Sequence, residues 1–590
     1  MQFRLLILIS LISILSITGL TAYVVAVTMT PTSVGSIVDD GTTLLTDPRE
    51  VAIVDIAGQL IAIVTSRSDD GIEIIDVSDP DEPTSLGRCA HDEATCGATK
   101  LNDPWGVATY TKDGSTYAVV TSIAQHSIEI IDITTPASPT SVGSLQDNTN
   151  LNGAAFFKIT TIDGKEYAVV SASEADRVTI VDISDPTNPT VAGSLHDAAV
   201  GNDGICTVED EERCLDKPKG IDVYTVDGST YAVVASQLDD GVAIVDISDP
   251  DVPTYTASFT KRDSSCADDD GNNNTDCELD NPVGLEIFSI GSSTYAAVAT
   301  PTDSGIQIID ITTPASPEAV SQAELDEEDG NGNTWTLLHD PRDVDVFSIG
   351  TSTYMLVSDC DNTAGTSGCK GGGVEIIDIS DPTTLSSVGN LADASSSNSA
   401  RFTGTSYSTV FTHSNSTGTY VYAIALGYED DGLEILHLYT EPTVTITSSS
   451  GSSGDTVDSD TFSYTVTFGL TTNDFTIEDI TVTGTANSGS PEASNFAGSG
   501  TTYTFDVVKT SSGTVSVSVA AGKATHTPTG HPNTASNTYT LTFDADDASS
   551  TCARLVILGN CGTIAINNDE YRIIHPWSTV PTTEVMVGEP

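Results

Sequence analysis

An all-β fold is predicted from this sequence on three observations. One segment type recurs seven times over residues 31–440. The stretches between the copies are rich in Val, Ile, Thr and Tyr and are bounded by Gly, Asp, Ser and Pro. No helical periodicity competes with this pattern. The clearest copies are "GIEIIDVSDPDEPTSLG" from Gly71, "SIEIIDITTPASPTSVG" from Ser127 and "RVTIVDISDPTNPTVAG" from Arg177. "GVAIVDISDPDVPTYTA" from Gly241, "GIQIIDITTPASPEAVS" from Gly305 and "GVEIIDISDPTTLSSVG" from Gly373 follow, then a degraded "GLEILHLYTEP" from Gly432. Their equivalent positions are Asp76, Asp132, Asp182, Asp246, Asp310, Asp378 and His437, spaced 50 to 68 residues apart. Such spacing suits the blades of a ring.

Each unit reads as four short strands. In the second, "WGVATYT" is followed by the turn "KDGS", then "TYAVVTS", "SIEIIDI", the turn "TTPAS" and "PTSVGSL". Runs such as "YAVV" and "IEIID" suit strands covered on both faces. Seven such units predict a seven-bladed β-propeller. The seventh stops after three strands, whereas "PTSVGS" at residues 31–36 repeats the fourth strand of residues 139–144 without a unit of its own. The ring is therefore expected to be closed by this N-terminal strand, which would cover a strand edge left open otherwise.

The "IIDVSDP", "IVDISDP" and "IIDITTP" segments resemble the LVIVD-repeat group of β-propellers, found in secreted and surface proteins of bacteria and archaea. The resemblance covers about residues 31–440, within a propeller domain expected over residues 29–440. It implies the fold and says little about activity, because propellers host many functions. From Glu441 the chain alternates anew in "TVTITSSSGSSGDTVDSDTFSYTVTF", "FTIEDITVTG", "TTYTFDVV", "GTVSVSVAAG" and "NTYTLTFDA". Seven short strands predict an immunoglobulin-like β-sandwich over residues 441–545. It lacks a Cys…Trp…Cys core and resembles the bacterial Ig-like repeats of large surface proteins and adhesins, which act as spacers. Where such repeats often carry an Asp-Gly-Asn type loop, this chain reads "THTPTGHPNTAS". Residues 546–590 are a tail that resembles no family.

Composition narrows the function. Lys and Arg total 21 against 84 Asp and Glu, a formal charge of −63. This excess argues against nucleic acid and anionic lipid as partners. It keeps a chain soluble and attracts cations. Residues 1–27 begin with Arg4 and continue as an apolar run, the pattern of a secretory signal cleaved near Ala22 or Ala26. An uncleaved membrane anchor is the alternative, since the run is long enough to span a bilayer. Ten cysteines form five local pairs: Cys89/Cys96, Cys206/Cys214, Cys266/Cys277, Cys360/Cys369 and Cys552/Cys561. None is a C-x-x-C and no histidines recur beside them, so disulfides rather than metal ligands are expected. A secreted or cell-surface protein is the reading.

Propeller geometry sorts the loops. The "KDGS"-type and "SDPDEP"-type turns are alike in every unit, so the Asp76 set is read as turn chemistry. The opposite face carries long, variable, acidic loops and four of the cysteine pairs, the arrangement that recognition uses. In "CADDDGNNNTDC", Asp268, Asp269, Asp270, Asn272, Asn274 and Asp276 offer oxygens for calcium inside one Cys-closed loop. The spacing is not that of an EF-hand; a merely solvated acidic loop is the other reading. Asn273 and Asn415 are glycosylation sequons. Asp47, Asp103 and Asp340 precede Pro48, Pro104 and Pro341, with Lys217 and Asn281 at the same repeat position. They are expected to ring the channel mouth near Arg49 and Arg342, either as strand-entry caps or as a site for a cation or polar ligand. No G-x-S-x-G, P-loop or H-E-x-x-H is present. The leading expectation is non-catalytic binding of a surface protein or glycan through the disulfide-braced acidic face, the sandwich serving as spacer. The alternative is a hydrolase or lyase with a carboxylate or calcium site in the channel.

Calcium is therefore expected to raise the melting temperature at high, constant ionic strength, stabilising the fold by about 2.7 kcal/mol at a hundredfold excess over Kd. Asp268→Ala with Asp270→Ala should remove most of that gain, and magnesium should do less. A full effect from sodium chloride alone, undiminished in the double variant, would leave only a solvated acidic surface.

Overall fold

The computed structural model describes residues 29–197, 215–261, 277, 279–325, 335, 337–349, 352–360, 372–392, 403–414, 419–441, 443–486, 492–509, 511–526, 533–544, 564–567 and 570–573. The N-terminal apolar segment lies outside them. The chain forms two compact units. The first holds Met1–Pro442 with Thr525–Asn533, the second Thr443–Ala524 with Thr534–Pro590. Among the described residues no helix is long and apolar enough to cross a membrane.

The described strands of the first unit form seven four-stranded antiparallel sheets. The second sheet shows the pattern, in order Pro104–Lys112, Ser115–Ser122, Ser127–Asp132 and Thr140–Gln146. First strands pack beside first strands around a ring, from Pro48–Ile56 through to Thr405–Ser414, which returns to Pro48–Ile56. Second and third strands carry the core. Ile72, Ile74, Ile128, Ile130, Val178 and Ile180 are fully buried, as are Ala118, Val119 and Val120. Their apolar runs are covered on both faces because each sheet is sandwiched between two others.

Turn chemistry sets the repeat. The Oδ1 of Asp76, Asp132, Asp182, Asp246, Asp310 and Asp378 each accepts the N–H two residues on, at 2.8–2.9 Å. The Ser or Thr at that second residue then accepts the N–H that opens its own sheet's second strand, as Ser78 does from Leu60 at 2.9 Å. Asp and Ser/Thr thus fix the corner by the side-chain bonds that favour them in turns. In the seventh sheet His437 takes the Asp position and packs on Tyr422 instead, with ring centroids 5.4 Å apart.

Closure occurs as the repeat predicts. Thr32–Val38 pairs antiparallel with Gly432–Glu441, Ser36 opposite Glu434 and Val38 opposite Gly432. Two contacts identify it as a true fourth strand. A buried glutamate on the third strand is bonded by a fourth-strand serine in Glu73–Ser85, Glu129–Ser141 and Glu375–Ser387. Glu434 repeats this with Ser33, across 401 residues of sequence. The fourth-strand glycines Gly87, Gly143 and Gly193 lie against the proline carbonyl of the next sheet's corner, leaving no room for a Cβ. Gly35 does the same against Pro80. The shared hexapeptide thus marks a shared packing position.

In the second unit, Val444–Ser448, Thr461–Thr472 and Ala493–Val508 form a three-stranded sheet. Thr456–Val457, Tyr539–Phe543, Gly513–Val519 and Ile480–Gly484 form a four-stranded one. Alternate residues of both supply one core, with Phe462, Tyr464, Phe468, Phe505, Val515 and Leu541 nearly fully buried. A hairpin, Ile564–Asn567 with Glu570–Ile573, is also described.

Gly35→Val should cost about 1–3 kcal/mol, as overpacking against backbone does. Gly143→Val should cost about as much, measured by thermal or urea melts of the first unit within the full chain. A Gly35→Val protein that melts like wild type would show that residues 32–38 are not seated in the seventh sheet.

Candidate functional site

Four of the inner-strand entries are built in the same way, whereas the Asp-Pro entry at Asp340 donates its N–H to Asp359 of its own sheet at 2.7 Å. Asp47, Asp103, Lys217 and Asn281 have φ of 58°, 57°, 52° and 63°. Each donates its N–H to an aspartate of the preceding sheet, in Asp431, Asp70, Asp176 and Asp240, at 2.8–3.2 Å. The turns therefore staple one sheet to the next, and the following proline fixes the chain for strand entry. The carboxylates of Asp47, Asp103 and Asp340 are each held by an arginine: Arg49 at 2.5 Å, Arg67 at 2.5 Å and Arg342 at 2.7 Å. The structure brings the first two together through Arg67, which also lies 3.9 Å from Asp47.

Immediately after these turns the inner strands bulge. Register shifts fall between Pro48 and Val51, Pro104 and Val107, Ala154 and Phe157, Pro218 and Ile221, Pro341 and Asp343, and Thr405 and Ser408. A bulge leaves residues out of the ladder and re-aims their side chains. Its freed N–H groups are met by second-strand hydroxyls, Glu50 by Thr65 at 3.0 Å and Gly106 by Thr121 at 2.9 Å. The residues released converge on one cavity of about 290 Å³. Arg49, Trp105, Phe156, Lys219, Arg342, Ser406 and Tyr407 come from bulges, joined by Val283, Gln237 and Tyr428.

The cavity wall is aromatic and cationic. Trp105 meets Phe156 edge-on at 6.2 Å, and Phe156 lies 6.0 Å from Tyr407. Arg49, only 8 % exposed, is sandwiched between Trp105 and Tyr428, each ring centroid 4.7 Å from its guanidinium carbon. Cation–π contact stabilises such a charge and fixes its plane. Burial pushes the Lys219 ammonium down from its usual value, with the charges of Lys217 and Arg342 adding to the effect.

Below this wall the shaft is acidic. Burial and the charge of Asp343 push Glu50 up to about 8. Burial and Asp345 push Asp343 up to about 7. Tyr407, which feels both Asp343 and Glu50, is driven upward, chiefly by burial. Further down, equivalent strand positions of four consecutive sheets place Lys158, Asp222, Glu286 and Asp345 at one level. Lys158 Nζ lies 2.9 Å from Glu286 and 3.8 Å from Asp222. Its side chain is 39 % exposed. Three acids share this ammonium, which holds its proton more firmly than usual. Burial outweighs its pull on Glu286, which rises to about 8. At neutral pH the cluster therefore keeps a proton among its carboxylates.

The expected calcium ligands Asp268, Asp269, Asp270, Asn272, Asn274 and Asp276 lie outside the described residues. Among those described, no group of three or more His, Cys, Asp or Glu is placed to hold a metal ion. Cys89 and Cys96 are joined, with Cα atoms 5.3 Å apart. Cys277 and Cys360 are disulfide-bonded as well. Cys206, Cys214, Cys266, Cys369, Cys552 and Cys561 lie outside. The Cys89–Cys96 loop and the turns bearing Gln237 and Tyr428 sit at the same ends of their strands as the Asp-Pro entries, so the cavity opens on the disulfide-braced face.

Comparison with known proteins finds LVIVD repeats in four stretches, residues 66–91, 166–197, 226–261 and 368–393. No curated protein matches the sequence. Among solved structures, a functionally unknown protein from Desulfotomaculum acetoxidans DSM 771 is 14 % identical over 59 % of this chain and 89 % of its own, with a TM-score of 0.38. A candidate 6-phosphogluconolactonase from Bacteroides fragilis NCTC 9343 is 12 % identical over 65 % and 99 %, TM-score 0.42. A protein from Lactobacillus plantarum is 12 % identical over 62 % and 99 %, TM-score 0.39. None reaches the similarity from which a shared activity follows.

The raised acids set a pH dependence. A carboxyl whose folded pKa exceeds its unfolded value adds stability at low pH and loses it as pH rises through the folded value. For Glu50 and Asp343 that window runs up to about 8 and about 7. The melting temperature should fall between about pH 5.5 and pH 8, where ordinary carboxylates no longer titrate. Glu50→Gln should flatten the fall. An equal slope in that variant would place the titration elsewhere.

Proposed function

We propose that this chain is an exported surface or extracellular binding protein, a seven-bladed β-propeller followed by an immunoglobulin-like spacer, and that its ligand site is the cavity at the channel mouth. One observation carries the reading: six of the seven inner strands bulge at the same position, and the released side chains converge on one pocket. Structural need would repeat the same residue around the ring, as it does at the Asp76 corner. Here the positions differ from sheet to sheet, which is how a symmetric scaffold builds an asymmetric site. A largely aromatic pocket with a few convergent polar groups is the usual form of a small-ligand site. The acidic, disulfide-braced loops on the same face would control access to it, and calcium in the 266–277 loop would order that rim. A surface protein or glycan that docks on this face would meet the pocket as well.

A second reading, acid–base catalysis by a hydrolase or lyase, is favoured by one specific observation. Glu50 and Asp343, raised to about 8 and about 7, lie against Tyr407 beneath the pocket. Carboxyls with values near neutrality are suited to give and take protons.

A thermal-shift screen of small polar metabolites against the full chain tests the binding function. Hits should lose about tenfold or more in affinity in Trp105→Ala and Tyr428→Ala, which remove the aromatic walls. Hits that ignore both substitutions would move the site off the channel mouth. Turnover of a hit that Glu50→Gln abolishes while binding persists would decide for the catalytic reading.

A further inference from the structure

The same pocket carries a more specific reading, which rests on its being a ligand site. We propose that it selects a small organic anion, seating a carboxylate or phosphate group between Arg49 and Arg342 and its body against Trp105 and Phe156.

The first ground is a device that occurs twice. Asp-Pro-Arg stands at residues 47–49 and again at 340–342, on the first and sixth sheets. In both, the aspartate grips the arginine two residues on, at 2.5 Å and 2.7 Å. The seventh sheet lies between them and presents Tyr407, which feels the charge of both guanidiniums. Two arginines are therefore fixed on either side of one phenol. An aspartate that pins one edge of a guanidinium pre-orders the remaining N–H groups, and a planar fork so held suits carboxylate and phosphate.

The second ground is the kind of hydrogen bond left unmade. Among the pocket-lining residues, the buried polar atoms without a protein partner are Arg49 Nε, Arg342 Nε and Trp105 Nε1. All three are donors, and none of their side chains can accept. A buried donor left unmatched is costly, so the complement of this wall is a ligand that brings acceptors.

The third ground is charge. The lining holds Arg49, Lys219 and Arg342 and no carboxylate. It does so in a chain with 21 basic and 84 acidic residues. An anion between these cations would relieve their mutual repulsion.

Binding is measured by titration calorimetry on the full chain at one ionic strength. Benzoate is set against the isosteric neutral benzamide, D-glucuronate against D-glucose, with inorganic phosphate alone as a fifth probe. At least one organic anion should bind at least about tenfold more tightly than its neutral match, the margin a charged hydrogen-bonded clamp supplies. Arg342→Gln should erase that preference, and Trp105→Phe should weaken anion binding while keeping the aromatic wall. Arg88→Gln, at an exposed arginine outside the pocket, should change nothing. Arg342→Gln is the safer of the two clamp variants, because Arg342 is less buried than Arg49. Neutral probes that bind as tightly as anions, with a loss in Trp105→Ala, would overturn anion selection while leaving the pocket as the ligand site. Equal losses in Arg342→Gln and Arg88→Gln would overturn it as general charge attraction. No anion binding to the folded wild type at about 10 mM would overturn it too, with neutral binding then judging the pocket separately.

Discussion

Everything in the first unit depends on one long-range pairing, that of Thr32–Val38 with Gly432–Glu441. Sheets in a ring are stabilised on both sides only while the ring is complete. Open it, and two buried faces and a strand edge meet water together. The pocket depends on this seam directly. Arg49 belongs to the first sheet and Tyr428 to the seventh, and their 4.7 Å contact spans the junction that the N-terminal strand secures. Asp47, which orients Arg49, also donates its backbone N–H to the Asp431 carboxylate across the same junction. Pocket geometry and ring closure are in this sense one structural fact.

How much of this was legible in the sequence follows the distinction between repetition and difference. The Asp76 corner recurs with nearly constant identity, and the "PTSVGS" strand and the Asp-Pro entry recur in some of the sheets, because the same bond is made wherever they stand. They could be read off, and the corner bonds and the pairing of residues 32–38 are present as expected. The shaft could not. Its equivalent positions hold Ala52, Ala108, Lys158, Asp222, Glu286, Asp345 and Thr409, a set with no common type and hence no motif. Each is also one residue of a short strand, where alternation tells inside from outside but not which neighbour sits across the channel. Only an alignment of the inner strands on their entry positions, with Ala154 standing where Pro282 stands, would have placed Lys158 level with Glu286. The bulge was hidden for a similar reason. A sequence shows Pro48 and Val51 but not that Arg49 and Glu50 drop out of the ladder between them.

The distribution of charge has the same logic. Acidic residues fill corners and turns, where a carboxylate is a compact acceptor for backbone N–H groups. Much of the negative charge is thus structural at its point of use. Cations are scarce, and several are concentrated in the channel. Arg49, Lys219 and Arg342 line its mouth and Lys158 its shaft. The channel thus changes along its length, cationic and aromatic at the mouth and, below, a protonated lysine set among carboxyls that burial pushes upward.

The closing strand also has a history in time. It is made early in synthesis, and its partner is made some 400 residues later. Until then it has no sheet to join, and the six sheets made in between wait with their ring unfinished. Contacts so distant in sequence are slow to form, because the chain entropy of the whole loop must be overcome before any bond rewards it. The repeat also supplies wrong partners, since each third strand is a near copy of the correct one. The ring of the first unit can therefore be completed only when its last strand is free, however early the sheets between have formed.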